Sequence, residues 1–239
     1  MKWRSLEESA AVSDTRSLRD VYVERKALIA KYVPADIQAV HARVVAELRE
    51  SGIGERALKP GSDAPEFELP DQNGQVVRSS DLLARGPLLT CFIRGRWCPF
   101  CVGQLEAMNS IVQQLQSLKT SLVAISAQTV HQNYLMADQH KLQFPLLSDA
   151  ENKVAKQFGV AYRVPEYQQE VYGRAFVNLP FVNGDSSWEL PVPATYILNR
   201  HQSAGESARA EVLYASANPD YTERPEPADI LAFVAQLSS

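Results

Sequence analysis

One stretch constrains this chain more than any other. An apolar run from Leu88 to Ile93 passes through Arg94-Gly95-Arg96-Trp97 into Cys98-Pro99-Phe100-Cys101. It continues into a segment where Leu105, Met108, Ile111, Val112, Leu115 and Leu118 fall on one helical face. A run with so few polar atoms reads as a strand covered on both faces, and a covered strand feeding a helix belongs to a layered α/β sheet. The pattern repeats downstream. Strand-like SLVAIS (121–126) precedes a helix around residues 130 to 140, and FPLLSD (144–149) precedes a helix with Asp149 near its cap and Gly159 just past its end. VPATYIL and AEVLYAS add two strands joined by a turn at residues 199 to 207, and Pro225 and Pro227 open a last helix, Ala228 to Leu237.

The two ends of this core read differently. Pro34 opens a helix in which Ile37, Val40, Val44, Val45 and Leu48 recur at helical spacing until Gly52 and Gly54 end it; before it, Leu18, Val21, Val23 and Leu28 form a looser apolar pattern. Short amphipathic helices need a surface to bury against, either the main domain or a second copy of the chain as a homodimer. Residues 61 to 77, with Asn73-Gly74 between short apolar stretches, predict a hairpin, and Asp81 is placed to cap the next short helix. From Tyr162 to Glu189 the periodicity weakens into a helix fragment and a long loop or hairpin.

Bulk properties narrow the function classes. With 239 residues, 45% of them hydrophobic, the chain supports one substantial domain plus an attachment. A formal net charge of -4 supplies neither a basic stripe for nucleic acid nor a polybasic membrane anchor. The first fourteen residues carry charges where a signal peptide needs an apolar core, and no run of about 18 apolar residues occurs, so a cytoplasmic protein without membrane partners is expected.

The three cysteines, Cys91, Cys98 and Cys101, are too few and too clustered for a secreted disulfide scaffold. Cys98 and Cys101 lie where a strand hands over to a helix, so backbone N–H groups and the helix dipole can stabilise a thiolate, the nucleophilic form. Arg94 and Arg96 add positive charge close by in sequence, and Pro99 suits the first helical turn, where its missing N–H is no loss. Three-residue spacing brings the two sulfurs within bonding reach. A closed zinc site needs four ligands, and His41, His131, His140 and His201 show no paired spacing, so no metal is expected. Cys91, inside the strand, reads as a small core hydrophobe. His131 reads as a solvated loop residue, residues 220 to 227 as a turn capping the last helix, and Tyr162, Tyr167, Tyr172, Phe176 and Phe181 as the private core of their loop. Val192-Pro193 stands just ahead of a strand, where a proline is tolerated.

Strand, Trp97-Cys98-x-x-Cys101, helix and a late proline together resemble the thioredoxin superfamily. In that superfamily the late proline is cis and packs against the active-site disulfide, a role the resemblance gives to Pro193. GSDAPEFELPDQNGQVV, FPLLSD, VAKQFGV, SGIGERALKPG, IRGRWCPFC, VAISAQT and NGDSSWELPVPATYIL are similar to the AhpC/TSA (alkyl hydroperoxide reductase/thiol-specific antioxidant) branch, in a group with a two-cysteine motif. The resemblance implies a helical extension over residues 1–57 and a thioredoxin-like α/β domain over 58–239. It further implies thiol-dependent reduction of a hydroperoxide through a Cys98/Cys101 dithiol–disulfide cycle, without metal or organic cofactor. Trp97, Pro99, Pro193, Arg94 and Arg96 would support the pair, and an external thiol donor such as a thioredoxin or glutathione would restore it. Two other expectations stand beside it: a protein thiol–disulfide oxidoreductase acting on a disulfide substrate, and a redox-sensing or binding module.

The chain departs from both patterns. A peroxiredoxin site resembles Pro-x-x-x-Thr-x-x-Cys with a distant arginine; with Cys101 on the peroxidatic position, Cys98 holds the threonine position, Arg94 the proline position, and Pro193 falls at or beside the place of the arginine. The buried acid of a thioredoxin, six residues before the first cysteine, is Phe92 here. On one assignment Cys98 is the exposed exchange nucleophile and Cys101 its buried partner, the order favoured because Cys98 caps the helix. On the other, Cys101 attacks the peroxide and Cys98 condenses with the sulfenic acid.

Overall fold

A computed structural model describes residues 16–201 and 209–237. The chain starts with α1 (Leu18–Tyr32), α2 (Ala35–Glu50) and the single turn α3 (Ile53–Arg56). Pro34 stands immediately before α2, and Gly52, at φ 68°, turns the chain out of it. β1 (Asp63–Ala64) is followed by the hairpin of β2 (Glu68–Pro70) and β3 (Val76–Arg78), which turns at Asn73-Gly74 as its sequence predicts. In α4 (Ser79–Leu83) Asp81 lies inside the first turn and does not cap it, and the Ser79 hydroxyl accepts from the Phe67 N–H instead.

β4 (Leu88–Phe92) leads into α5 (Pro99–Ser110) and α6 (Val112–Ser117). The single helix expected here breaks at Ile111, whose φ of -107° and ψ of 3° leave the helical region while its apolar face stays in register. β5 (Ser121–Ser126), α7 (Val130–His140) and β6 (Leu146–Ser148) follow. Next comes α8 (Lys153–Gln157), where the Asp149 carboxylate accepts from the N–H groups of Val154 and Ala155 at 3.0 and 2.9 Å. The weakly periodic region is more ordered than its sequence suggests. β7 (Ala161–Arg163) and β8 (Glu189–Pro191) pair antiparallel and enclose α9 (Glu166–Arg174) and α10 (Leu179–Asn183). The chain closes with β9 (Ala194–His201), β10 (Arg209–Ala217) and α11 (Pro227–Leu237); most of the turn expected between β9 and β10 lies outside the described residues.

Among the described residues the main sheet runs β1-β10-β9-β4-β5-β6, with β4, β5 and β6 parallel and the others antiparallel. Strand alternation divides β4 between two cores. Leu89, Cys91 and Ile93 face α5, α6 and α11, while Leu88 and Phe92 pack with Val123, Ile125, Phe158 and Tyr196 on the other side. Phe92 stands in an aromatic triangle, 5.0 Å from Phe158 and 6.0 Å from Tyr196, ring centre to ring centre. Among the described residues no helix is long and apolar enough to cross a membrane.

α1 docks on the main domain with only part of its loose apolar pattern: Leu18 is buried and Val21 packs against the core. Leu18, Tyr22 and Arg25 are buried, while Val23 is 62% exposed. Polar contacts set this face: the Tyr22 hydroxyl donates to the carbonyl of Phe100, and Arg25 donates to that of Pro99. Phe92→Ala is expected to lower stability by about 3–5 kcal/mol in urea denaturation. Phe176→Ala, at a side chain that is 95% exposed, should change it by no more than about 0.5 kcal/mol.

Candidate functional site

The pairing of β4 fixes where the cysteines sit. Phe92 is in register with Ile125 on one side and Ala194 on the other, so the chain leaves the sheet at its centre. It then doubles back at Gly95 (φ 144°), where a Cβ would stand 2.7 Å from Trp97 Nε1 and 2.8 Å from Gln128 Oε1; only glycine fits this approach. The same Gln128 oxygen accepts from the Arg96 N–H at 2.8 Å, and the Cys98 N–H returns to the Gly95 carbonyl at 3.1 Å. Cys98 thereby becomes the N-cap residue of α5 with Pro99 in the first turn, and its carbonyl accepts from Cys101 and Val102 at 3.0 and 3.1 Å.

The two sulfurs have unlike surroundings. Cys101 is fully buried; its Sγ receives the Arg94 N–H at 3.4 Å and lies 3.9 Å from Arg224 Nη2. Arg224 is oriented by Gln104, whose Oε1 accepts from Arg224 Nε at 2.9 Å and whose Nε2 donates to Thr195 Oγ1 at 3.1 Å. Burial pushes the Cys101 thiol up, but the Cys98 hydrogen bond, the charges of Arg224 and Arg94 and the Arg94 N–H outweigh it and hold the thiol below its ordinary value. Burial drives Cys98 the other way, reinforced by its hydrogen bond to Cys101 and that neighbour's negative charge. The expected exposure of Cys98 is corrected: the residue is 2% exposed, and the donors converge one turn further on, at Cys101. In Cys91 burial raises the thiol to about 12.

Arg94 is buried within an aromatic cage. Its guanidinium carbon lies 4.8 Å from the centre of the Trp97 ring and 4.3 Å from that of Tyr221, and Nη2 donates to the Tyr172 hydroxyl. Desolvated cation–π contacts of this kind contribute up to about 2 kcal/mol each. Arg96 turns away to Gln132 Oε1 at 3.4 Å. Pro193 is buried opposite the exit of β4, but its peptide bond is trans; extended chain on both sides, with the Val192 N–H held by Val160 O at 2.8 Å, carries β8 directly into β9.

The structure brings together Cys98, Cys101, Arg94 and Trp97, and adds residues that sequence reasoning missed. Residues 220 to 227 are more than a capping turn, since Tyr221 covers Arg94 and Arg224 reaches Cys101. Their only sequence signal is a charged and aromatic turn stiffened by two prolines, far from the cysteines along the chain. Tyr172 joins the site, Tyr162 packs with Trp97 in the adjoining cluster, and Tyr167 bonds to Glu47 Oε2 at 2.5 Å, whereas Phe176 and Phe181 are exposed. His41 of α2 lies 6.3 and 6.1 Å from the rings of Tyr172 and Tyr221, and burial together with the Arg94 charge lowers its pKa to about 4. His131 is exposed. If Arg224 sustains the Cys101 thiolate, the pH profile of iodoacetamide alkylation in Arg224→Gln should have its midpoint about one pH unit or more above wild type. An unchanged midpoint would remove Arg224 from the account.

The pattern of the AhpC/TSA family matches residues 60–203. A putative peroxiredoxin of Mycobacterium tuberculosis is 35% identical over 103 residues, 43% of this chain and 67% of that one. Peroxiredoxin Bcp of Escherichia coli is 32% identical over 103 residues, 43% of this chain and 65% of that one. Among solved structures, the peroxidoxin BcpB of M. tuberculosis superposes with a TM-score of 0.58 at 24% identity, covering 76% of this chain and 99% of that one. Peroxiredoxin Q of Xanthomonas campestris does so at 0.54 and 14%, covering 72% and 92%. With the mixed sheet and its flanking helices, these likenesses identify the chain as a member of the AhpC/TSA family, a peroxiredoxin-like, thiol-dependent enzyme of thioredoxin-like fold.

Proposed function

We propose that this protein reduces hydroperoxides, with Cys101 as the attacking sulfur and Cys98 as the resolving one. The observation that carries this reading is the asymmetry of the pair: a backbone N–H and two arginines favour a thiolate at Cys101, and Cys98 stands in hydrogen-bonding contact as a thiol. The Cys101 thiolate attacks the terminal peroxide oxygen, the O–O bond breaks, and the leaving alkoxide or hydroxide takes a proton from solvent. Cys101 is then a sulfenic acid. The Cys98 sulfur displaces its hydroxyl, giving water and the Cys98–Cys101 disulfide, and two equivalents of an external thiol restore the dithiol while forming their own disulfide.

Arg94 and Arg224 favour the negative charge at the reacting sulfur, as donors fixed before the reaction do. Trp97 and Pro99 shape the turn, and Pro193 backs the strand exit. In this reading the domain over residues 58–239 carries the chemistry and the extension, within residues 1–57, covers it. Burial of both sulfurs weighs against a protein disulfide as the main substrate.

Rapid mixing of the reduced protein with hydrogen peroxide tests the assignment. Cys98→Ser should keep a fast, one-equivalent consumption of peroxide, and Cys101→Ser should lose the fast phase by on the order of a hundredfold or more. The opposite pattern, or a wild-type rate no faster than that of a free thiol, would refute it.

A further inference from the structure

The helix α1 covers the redox pair at the two residues that separate the cysteines. Arg25 donates to Pro99 O and Tyr22 to Phe100 O, and the Tyr22 ring packs edge-on to Phe100 with centres 5.0 Å apart. The approach is close because Gly103 has no side chain; a Cβ there would stand 2.5 Å from Arg25 Nη1 and 3.2 Å from Tyr22 Cε1. The segment that carries Arg224 also ties α1 down. The Glu226 carboxylate accepts from the N–H groups of Leu18 and Arg19 at 2.9 and 2.7 Å, and Glu223 pairs with Lys26 at 2.9 Å. A shallow groove lies along this seam, lined by Arg19, Tyr22 and Lys26 of α1 and by Glu223 and Arg224; with Glu226 beside it, three cations face two carboxylates.

We propose that α1 makes the Cys98–Cys101 disulfide selective for a small, anionic thiol as its reductant and closes it to protein dithiols. The proposal rests on the dithiol–disulfide cycle above. Thiol–disulfide exchange needs the incoming sulfur in line with the S–S bond, and a cysteine on a protein surface does not reach a residue that is 2% exposed in the turn on which α1 docks. A small thiol enters along the seam, drawn by its positive charge. Its thiolate attacks Cys98 Sγ, the S–S bond breaks, and the electron pair goes to Cys101, the better leaving group because Arg94 and Arg224 favour its thiolate. A second donor thiolate attacks the donor sulfur of the mixed disulfide and releases Cys98, which takes one of the two donor protons. The other stays in solvent.

The test starts from the disulfide formed with diamide, so that it reads reduction alone and is independent of any reaction with peroxide. Reduction is followed by the change in tryptophan fluorescence on adding glutathione, cysteamine or a bacterial thioredoxin, for wild type, Gly103→Val and Glu226→Ala. Gly103→Val pushes α1 off from inside, and Glu226→Ala releases its N-terminus away from the sulfurs. In wild type, glutathione should act several-fold faster than cysteamine at equal thiolate concentration, an advantage that salt removes. Either variant should accelerate thioredoxin by about tenfold or more, in proportion to the open fraction it creates, and glutathione by less than about threefold. Wild type reduced by thioredoxin as fast as the variants, or by cysteamine as fast as by glutathione, would overturn the proposal.

Discussion

The site depends on positive charge delivered to one buried sulfur. A thiolate taken out of water is unfavourable unless donors replace its hydration. At Cys101 three groups favour the charge from two parts of the chain: Arg94, at the end of the central strand, through its N–H and through its caged guanidinium, and Arg224 from the segment before the last helix. Much of the neighbouring structure follows from keeping those cations in place. Gln104 and Thr195 hold Arg224 from beneath, while Trp97, Tyr172 and Tyr221 surround Arg94.

That arrangement shows how the chain differs from both patterns it resembles. With Cys101 on the peroxidatic position, the positions where a peroxiredoxin site would carry a proline and a threonine hold Arg94 and Cys98, so an arginine stands next to the sulfur and a second thiol at the helix cap. Arg224 supplies charge from a segment after β10, while Pro193 occupies the strand entry. Phe92 fills the place of a thioredoxin's buried acid and belongs to the opposite core. A Trp-Cys-x-x-Cys turn thus coexists here with donors gathered on its second cysteine.

Sequence periodicity carried the sheet and its helices because each signal is local. The apolar β4 run, the Asn73-Gly74 turn, Asp149 and Gly159 act on residues within one turn of themselves, and the structure bears them out. What remained hidden depends on contacts between distant segments. Arg224 meets Cys101 only through β10 and α11 folding over α5, and no spacing rule links residues 123 apart. The docking of α1 was hidden for the same reason. The loose apolar pattern gives Leu18 and Val21, which do reach the core, but Tyr22 and Arg25 meet backbone carbonyls of the cysteine turn far along the chain, and Val23 stays outside. Capping by Cys98 was legible, but burial and the direction of the donors, rather than position at the helix start, decide which thiol ionises.

The donors around Cys101 predict that it, and not Cys98, is the thiolate of the reduced pair. The 13Cβ resonances of both cysteines, followed as a function of pH in the reduced wild-type protein, report this. The Cys101 resonance should titrate first, below the ordinary thiol range, with Cys98 still protonated well above it. A Cys98 resonance that titrates first would overturn the assignment.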